Sequence, residues 1–164
     1  MIRALTLASA CFLFAGCALQ PVYGGGANSA AVRNLAAIEV GAMPGREGWL
    51  MTNALNDRLS IGATSAPARY RLDIRLDDRL EGLGLLNDDT IGRERRTLRA
   101  RYQLIDLATG SIVLDATSGS DAGIDVVSSE YATIAAEQTA LERLTEDVAD
   151  RIVSRITLAL RDQP

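Results

Sequence analysis

Arg69-Tyr70-Arg71-Leu72-Asp73-Ile74-Arg75-Leu76-Asp77 puts an apolar residue at every even position and a charged one at every odd position. Successive side chains of a strand point to opposite faces, so this strict period of two marks a β-strand with one buried and one wet face. A second alternating run covers Thr97 to Gln103: Leu98, Ala100, Tyr102 and Leu104 read as buried, and Arg95, Thr97, Arg99, Arg101 and Gln103 occupy the other face. Asp106 to Gly110 supplies a tight turn, and Ser111 to Thr117 reads as a third strand with Ile112, Leu114 and Ala116 inward. One buried and one solvated face is the pattern of an antiparallel meander. The connection from Leu80 to Gly92 is apolar and carries glycines, which predicts a flexible hairpin tip.

The flanks complete the fold. Leu35 to Val40, with β-branched Ile38 and Val40, predicts a short first strand. After Pro44-Gly45, the i, i+4 spacing of Leu50 and Ala54, and of Met51, Leu55 and Leu59, predicts an amphipathic helix that stops at Gly62. Residues 128–162 predict one long helix. Its apolar stripe is Leu141, Leu144, Val148, Ile152, Ile156 and Ala159; Ser128 or Ser129 is its N-cap, and Arg151, Arg155 and Arg161 favour its C-terminal half through the helix dipole. The expected order is β-α-β-β-β-α, an α+β two-layer sandwich with two helices on one face of a four-stranded, mostly antiparallel sheet.

Composition excludes much chemistry. The chain of 164 residues has no His, all 17 basic residues are Arg, and the formal net charge is −4. Without His there is no Ser-His-Asp triad. Without Lys there is no phosphate-binding loop of the Gly-Lys type. Of the two cysteines, Cys11 and Cys17, neither falls in the expected domain, so no disulfide, thiolate nucleophile or metal site is expected there. Catalysis would rest on carboxylates alone. The adjacent acids Asp88-Asp89 and Glu146-Asp147 fall in the expected hairpin tip and on a solvent-facing helix surface, neither an obvious cleft. The expectation is a protein that is not an enzyme, has no cofactor and no metal, and, being acidic, does not bind nucleic acid.

The N-terminus reads as a leader. Arg3 precedes an apolar run from Ala4 to Ala15, too short for the roughly 20 residues of a membrane-spanning helix and right for a secretory signal peptide. The exit Leu13-Phe14-Ala15-Gly16-Cys17 resembles a bacterial lipobox, with Phe14 where Leu is commonest. That resemblance implies cleavage before Cys17 and its acylation; Ala18 in place of an acid implies outer-membrane sorting. Two or three acyl chains anchor stably where one does not. The expected organisation is a signal peptide over 1–16, a lipidated N-terminus and Gly-rich tether over 17–34, and a single α+β domain over 35–164. About 150 residues remain after cleavage, enough for one real hydrophobic core.

The odd-numbered face of the two long strands collects arginines: Arg69, Arg71 and Arg75 on one, and Arg93, Arg95, Arg99 and Arg101 on or leading into the other, offset there by Asp73 and Asp77. One register sets Asp77 against Arg95, Asp73 against Arg99 and Arg71 against Arg101. Another sets Arg75 against Arg95 and Arg71 against Arg99. Opposed like charges destabilise a sheet, which favours the first. The face reads either as a solvated surface of ion pairs worth about 0–1 kcal/mol each, or as a contact surface for a polyanion, naturally a lipid headgroup or lipid A phosphate.

A Gly-Cys lipobox, then Leu19-Gln20-Pro21-Val22-Tyr23-Gly24, then this element order resembles the LPS-assembly lipoprotein family, LptE. Tyr102-Gln103-Leu104-Ile105-Asp106 before the Thr109-Gly110 turn, and an alanine-rich helix opening at Tyr131-Ala132, add to the resemblance. It implies a non-catalytic protein that plugs the large outer-membrane β-barrel LptD, supports its assembly and assists lipopolysaccharide delivery to the cell surface. It also implies basic residues in lipopolysaccharide contact, for which charge placement nominates Arg93, Arg95, Arg96, Arg99 and Arg101, unless these pair with barrel carboxylates. The implied location is the periplasmic face of the outer membrane, held to its inner leaflet by acyl chains on Cys17. The alternative is an auxiliary lipoprotein of another envelope complex, for lipid transport or for activation of a cell-wall synthase.

Overall fold

The computed structural model describes residues 30–60, 67–85 and 91–161. Cys17, the greater part of the expected tether, Gly62 and the Asp88-Asp89 pair lie outside the described residues. The elements are α1 (Ala30–Ala36), β1 (Ile38–Val40), α2 (Gly45–Leu59), β2 (Tyr70–Leu85), β3 (Ile91–Asp106), β4 (Ile112–Asp125) and α3 (Glu130–Arg161). The sheet order is β1-β2-β3-β4, with β1 parallel to β2 and the other pairs antiparallel. The expected α+β sandwich is the fold found.

Helix α1 is an addition. It takes the last residues of the stretch read as tether and the first two read as strand, because Ala30-Ala31-Val32-Arg33-Asn34-Leu35-Ala36 is helix-favouring and Leu35 is buried in the core. The strand is left with Ile38, Glu39 and Val40, which pair with Tyr70, Arg71 and Leu72.

The core lies between the even-numbered face of the sheet and the two longer helices. Tyr70, Leu72, Leu98, Ala100, Tyr102 and Leu104 meet Met51, Leu55 and Leu59 of α2 and Leu144, Val148, Ile152 and Ile156 of α3. Of the expected stripe on α3, Ala159 is only half-buried and Leu160 takes its place. Ser129 is the N-cap, its Oγ accepting the Ala132 N–H at 3.4 Å. Arg58 on α2 pairs with Asp150 on α3 at 2.5 Å, fixing one helix against the other. Ile152 is fully buried, so Ile152→Val should cost about 1 kcal/mol through a lost methylene and the space it leaves, read as a lower urea midpoint with unchanged slope.

Both expected registers of the central hairpin are corrected. Asp77 faces Arg99 and Arg75 faces Arg101. The apolar, glycine-bearing stretch read as a hairpin tip instead prolongs β2 to Leu85, and β3 begins at Ile91, so the pairing slides toward the C-terminus. The core sets this register through Leu72 opposite Leu104, Ile74 opposite Tyr102 and Leu76 opposite Ala100. The slide is an even number of residues, so every side chain keeps its expected face.

Strand β4 runs well past Thr117, to Asp125. Ile112 is 54% exposed rather than inward. The register shifts between Leu104, opposite Leu114, and Ile105, opposite Ile112, and a one-residue slip turns a side chain to the other face.

The β3–β4 turn is built by Asp106. Its Oδ1 accepts the N–H groups of Ala108 (2.8 Å) and Thr109 (3.1 Å), while Gly110 adopts φ 70°, a left-handed conformation open to glycine. The Thr109 N–H first, then that of Ala108 and the Thr109 hydroxyl, and last the Arg69 charge, hold the Asp106 carboxyl below its ordinary value against desolvation. A depressed folded-state pKa contributes stability that is present above the unfolded value, about 3.9, and lost as pH falls through the folded one. Asp106→Asn should therefore flatten the acid limb of the stability–pH curve below about pH 4, measured by urea unfolding at stepped pH.

Candidate functional site

Among the described residues, the odd-numbered face of the sheet carries no helix. β2 presents Arg71, Asp73, Arg75, Asp77, Arg79 and Glu81 there; β3 presents Arg93, Arg95, Thr97, Arg99, Arg101 and Gln103; and β4 adds Asp115, Asp121 and Asp125. The expected basic surplus is smaller than the sequence implied. The prolonged β2 brings Glu81 and the prolonged β4 brings Asp121 and Asp125, so acids almost balance arginines across the face.

Balance of number is not balance of contact. Arg71 pairs with Asp73 at 3.0 Å, Arg79 with Asp77 at 2.9 Å, Arg93 with Asp125 at 3.0 Å and Arg101 with Asp115 at 3.2 Å. Gln103 also donates to Asp115 at 2.8 Å. The Asp115 carboxyl is held low by Arg101 first and Gln103 second, and the Arg101 guanidinium is raised by the same hydrogen bond. Among the described residues, Arg75, Arg95 and Arg99 have no carboxylate within 4.0 Å.

Arg99 is unpaired for a visible reason. It stands directly opposite Asp77, but Arg79 occupies that carboxylate. Arg99 reaches instead toward Gly119 on β4, where a Cβ would come within 3.1 Å of its Cγ and 3.2 Å of its Nη1. Glycine is what leaves room for the side chain to cross the strand.

Of the five nominated arginines, the structure brings Arg93, Arg95, Arg99 and Arg101 onto the open face and takes Arg96 away. Its even number turns it toward α3, where it holds Asp78 through two bonds of 2.9 and 2.5 Å and donates to the Glu137 carbonyl at 2.9 Å. That contact raises its pKa, the Asp78 hydrogen bond first. Arg96 is a clip between sheet and helix. Arg75 takes its place on the open face: alternation already put it there, but only the observed register sets it opposite Arg101. Between these two arginines, Asp73, Ile74, Gln103, Gly41 and Ala42 lies a hollow of about 490 Å³. Among the described residues, no group of three or more His, Cys, Asp and Glu is placed to hold a metal ion, and no helix is long and apolar enough to cross a membrane.

A sheet sealed on one face by two helices and left open and charged on the other defines a small two-layer α+β domain whose distinguishing surface is that open face. Residues 34–156 match the family model of LptE, lipopolysaccharide-assembly, and the chain belongs to that family. A comparison with curated proteins returns no match. Among solved structures, a Caulobacter crescentus protein assigned as a lipoprotein is 25% identical, with a TM-score of 0.68 over 81% of this chain and 97% of that one. The rare lipoprotein B from Shewanella oneidensis is 11% identical, with a TM-score of 0.57 over 76% of this chain and 95% of that one. A minor lipoprotein from Acinetobacter baumannii is 16% identical, with a TM-score of 0.56 over 74% and 88% respectively. The last two share the fold, not a demonstrated activity.

Proposed function

We propose that the chain is a non-catalytic outer-membrane lipoprotein that plugs and helps to assemble an LptD-type β-barrel and assists delivery of lipopolysaccharide to the cell surface. The observation that carries this reading is the family match over residues 34–156, which spans every strand and most of α3. Cys17, at the end of a lipobox-like leader, is the lipidation site in this reading; residues 17–34 connect the anchor to the domain, which faces the periplasm. The open sheet face is the contact surface. Arg95 and Arg99, exposed and without carboxylate partners among the described residues, are side chains available to lipid phosphates, and Arg93 and Arg101 become available where an anion outcompetes Asp125 and Asp115. The test is a mild-detergent pull-down of the tagged protein from outer membranes, with co-purifying chains identified by mass spectrometry. A stoichiometric large β-barrel is the expected result. A periplasmic or inner-membrane partner without a barrel would overturn it in favour of an auxiliary role in another envelope complex.

A further inference from the structure

The register of β2 on β3 opposes two arginines directly: Arg75 and Arg101 are cross-strand partners on the open face. Cβ atoms at such positions lie about 4.5–5.5 Å apart, and like charges there destabilise the pairing. The buried pairs on the other face impose the register, so the repulsion is tolerated rather than avoided. Local relief is incomplete. The acids two residues either side of Arg75 on β2 are both taken: Asp73 by Arg71 through bonds of 3.0 and 3.2 Å, and Asp77 by Arg79 at 2.9 Å. Asp115 lies across β3, bound to Arg101 and Gln103. Arg75 is exposed and has no carboxylate within 4.0 Å among the described residues. Counting Arg71, Arg75 and Arg101 against Asp73 and Asp115 leaves one positive charge beside the 490 Å³ hollow. Just past β1, Gly41 and Ala42 line the hollow without long side chains; a Cβ at Gly41 would come within 3.0 Å of Asp73 Oδ1.

We propose that Arg75 and Arg101 form a two-armed receptor for a phosphate-type oxyanion. Each guanidinium is a rigid fork of donors. A carboxylate has two oxygens and is satisfied by one fork; a tetrahedral phosphate has further oxygens for the second arm. Binding removes the repulsion that the register imposes. Arg99, two residues or about 7 Å along the strand, is also without a carboxylate, so a ligand carrying a second phosphate gains a third arm. The receptor rests on the proposed contact face and deepens it, since a phosphorylated lipid is one source of the anion and free phosphate is the other.

The experiment titrates the full chain with inorganic phosphate, following arginine Nε–Hε resonances, and in parallel measures co-sedimentation with phosphatidylcholine vesicles doped with phosphatidic acid. The Arg75 and Arg101 resonances should move together. Arg75→Gln should weaken phosphate binding about tenfold, the scale of one charge-assisted hydrogen bond, and abolish the shift at Arg101. Its unfolding midpoint should equal or exceed that of the parent, because a like-charge contact is removed. Arg155→Gln, on the exposed side of α3, should change nothing. Weaker vesicle binding by Arg75→Gln identifies the lipid-borne source, and a loss confined to inorganic phosphate identifies the free one; either supports the receptor. Arg75→Gln binding both like the parent, or unmoved Arg75 and Arg101 resonances, overturns it. If the receptor fails while the barrel still co-purifies, the proposed function stands without it; if no barrel co-purifies while Arg75→Gln loses phosphate, the receptor stands without that function.

Discussion

Asp78→Ala is expected to destabilise the fold by about 3 kcal/mol, several times the cost of losing an exposed ion pair such as Arg71–Asp73. Asp78 and Arg96 are each only 16% exposed, and Arg96 holds both carboxylate oxygens while donating to the Glu137 carbonyl of α3. Removing the acid leaves a half-buried guanidinium without its counter-ion, and the penalty is the desolvation of that charge rather than the pair's net worth. The location explains why a polar clip stands on the helix-facing side of the sheet. Ascending the even face, Tyr70 and Leu72 are fully buried, Ile74 and Leu76 are half-buried, and Leu80 is 44% exposed. The apolar seal thins toward the hairpin end, and the ion pair ties the first half of α3 down where few apolar contacts do so. Replacing both partners with apolar residues, as in Asp78→Leu with Arg96→Met, should recover most of the loss, since no charge is then stranded. Urea unfolding of the three variants checks this. An Asp78→Ala cost no greater than that of Asp73→Ala would show the clip to be an ordinary surface pair.

The same residues show what a period-two reading can and cannot reach. Alternation assigned faces correctly along β2 and β3, because a side chain's face depends only on parity. The core members Tyr70, Leu72, Leu98, Ala100, Tyr102 and Leu104 were therefore legible from the chain alone. Partners across the hairpin were not, since register depends on where the strands end. The glycines at 82 and 84 read as a tip although the strand runs through both. Charge repulsion favours a register that still opposes Arg71 to Arg101, and the observed register carries one such clash as well, Arg75 against Arg101, so charge alone does not separate the two. Local electrostatics at a wet surface, worth tenths of a kcal/mol to about 1, is too weak and too evenly matched to fix the register, which the packing of several buried side chains at about 1.5–3 kcal/mol each decides. Charge placement nominates Arg96 with its neighbours, although its even number puts it on the helix side. The acids of the far half of β4 were missed because Gly119 and Gly123 hid that the strand continues.

Arg95→Glu with Arg99→Glu should weaken lipopolysaccharide binding at least tenfold while leaving the fold intact. The fold expectation follows from exposure: both side chains stand on the open face, and neither has a carboxylate partner within 4.0 Å among the described residues, so no ion pair is removed. Each reversal does set an acid opposite an acid, Asp77 and Glu81, at about 0.2–1 kcal/mol apiece, which lowers the unfolding midpoint without unfolding the domain. The binding expectation rests on the proposed contact face. A charge-assisted hydrogen bond to phosphate contributes about 1.5–3 kcal/mol, and tenfold in affinity is 1.4 kcal/mol. Reversal replaces attraction by repulsion at two positions, so the effect should exceed simple loss. It should also be salt-sensitive, because screening shortens from about 10 Å at 0.1 M to about 3 Å at 1 M; the difference between parent and variant should shrink as salt is raised. The open face as a whole is nearly neutral, so a diffuse attraction would hardly notice two residues, whereas binding through the unpaired arginines would lose two of its three donors, leaving Arg75. Circular dichroism and the unfolding midpoint establish that the variant is folded. Arg155→Glu on α3 makes the same charge change away from the sheet, so equal losses from the two would point to net charge rather than to this face. Undiminished binding by a folded Arg95→Glu, Arg99→Glu protein would remove lipid phosphate from these two positions and leave them to the carboxylates of a protein partner.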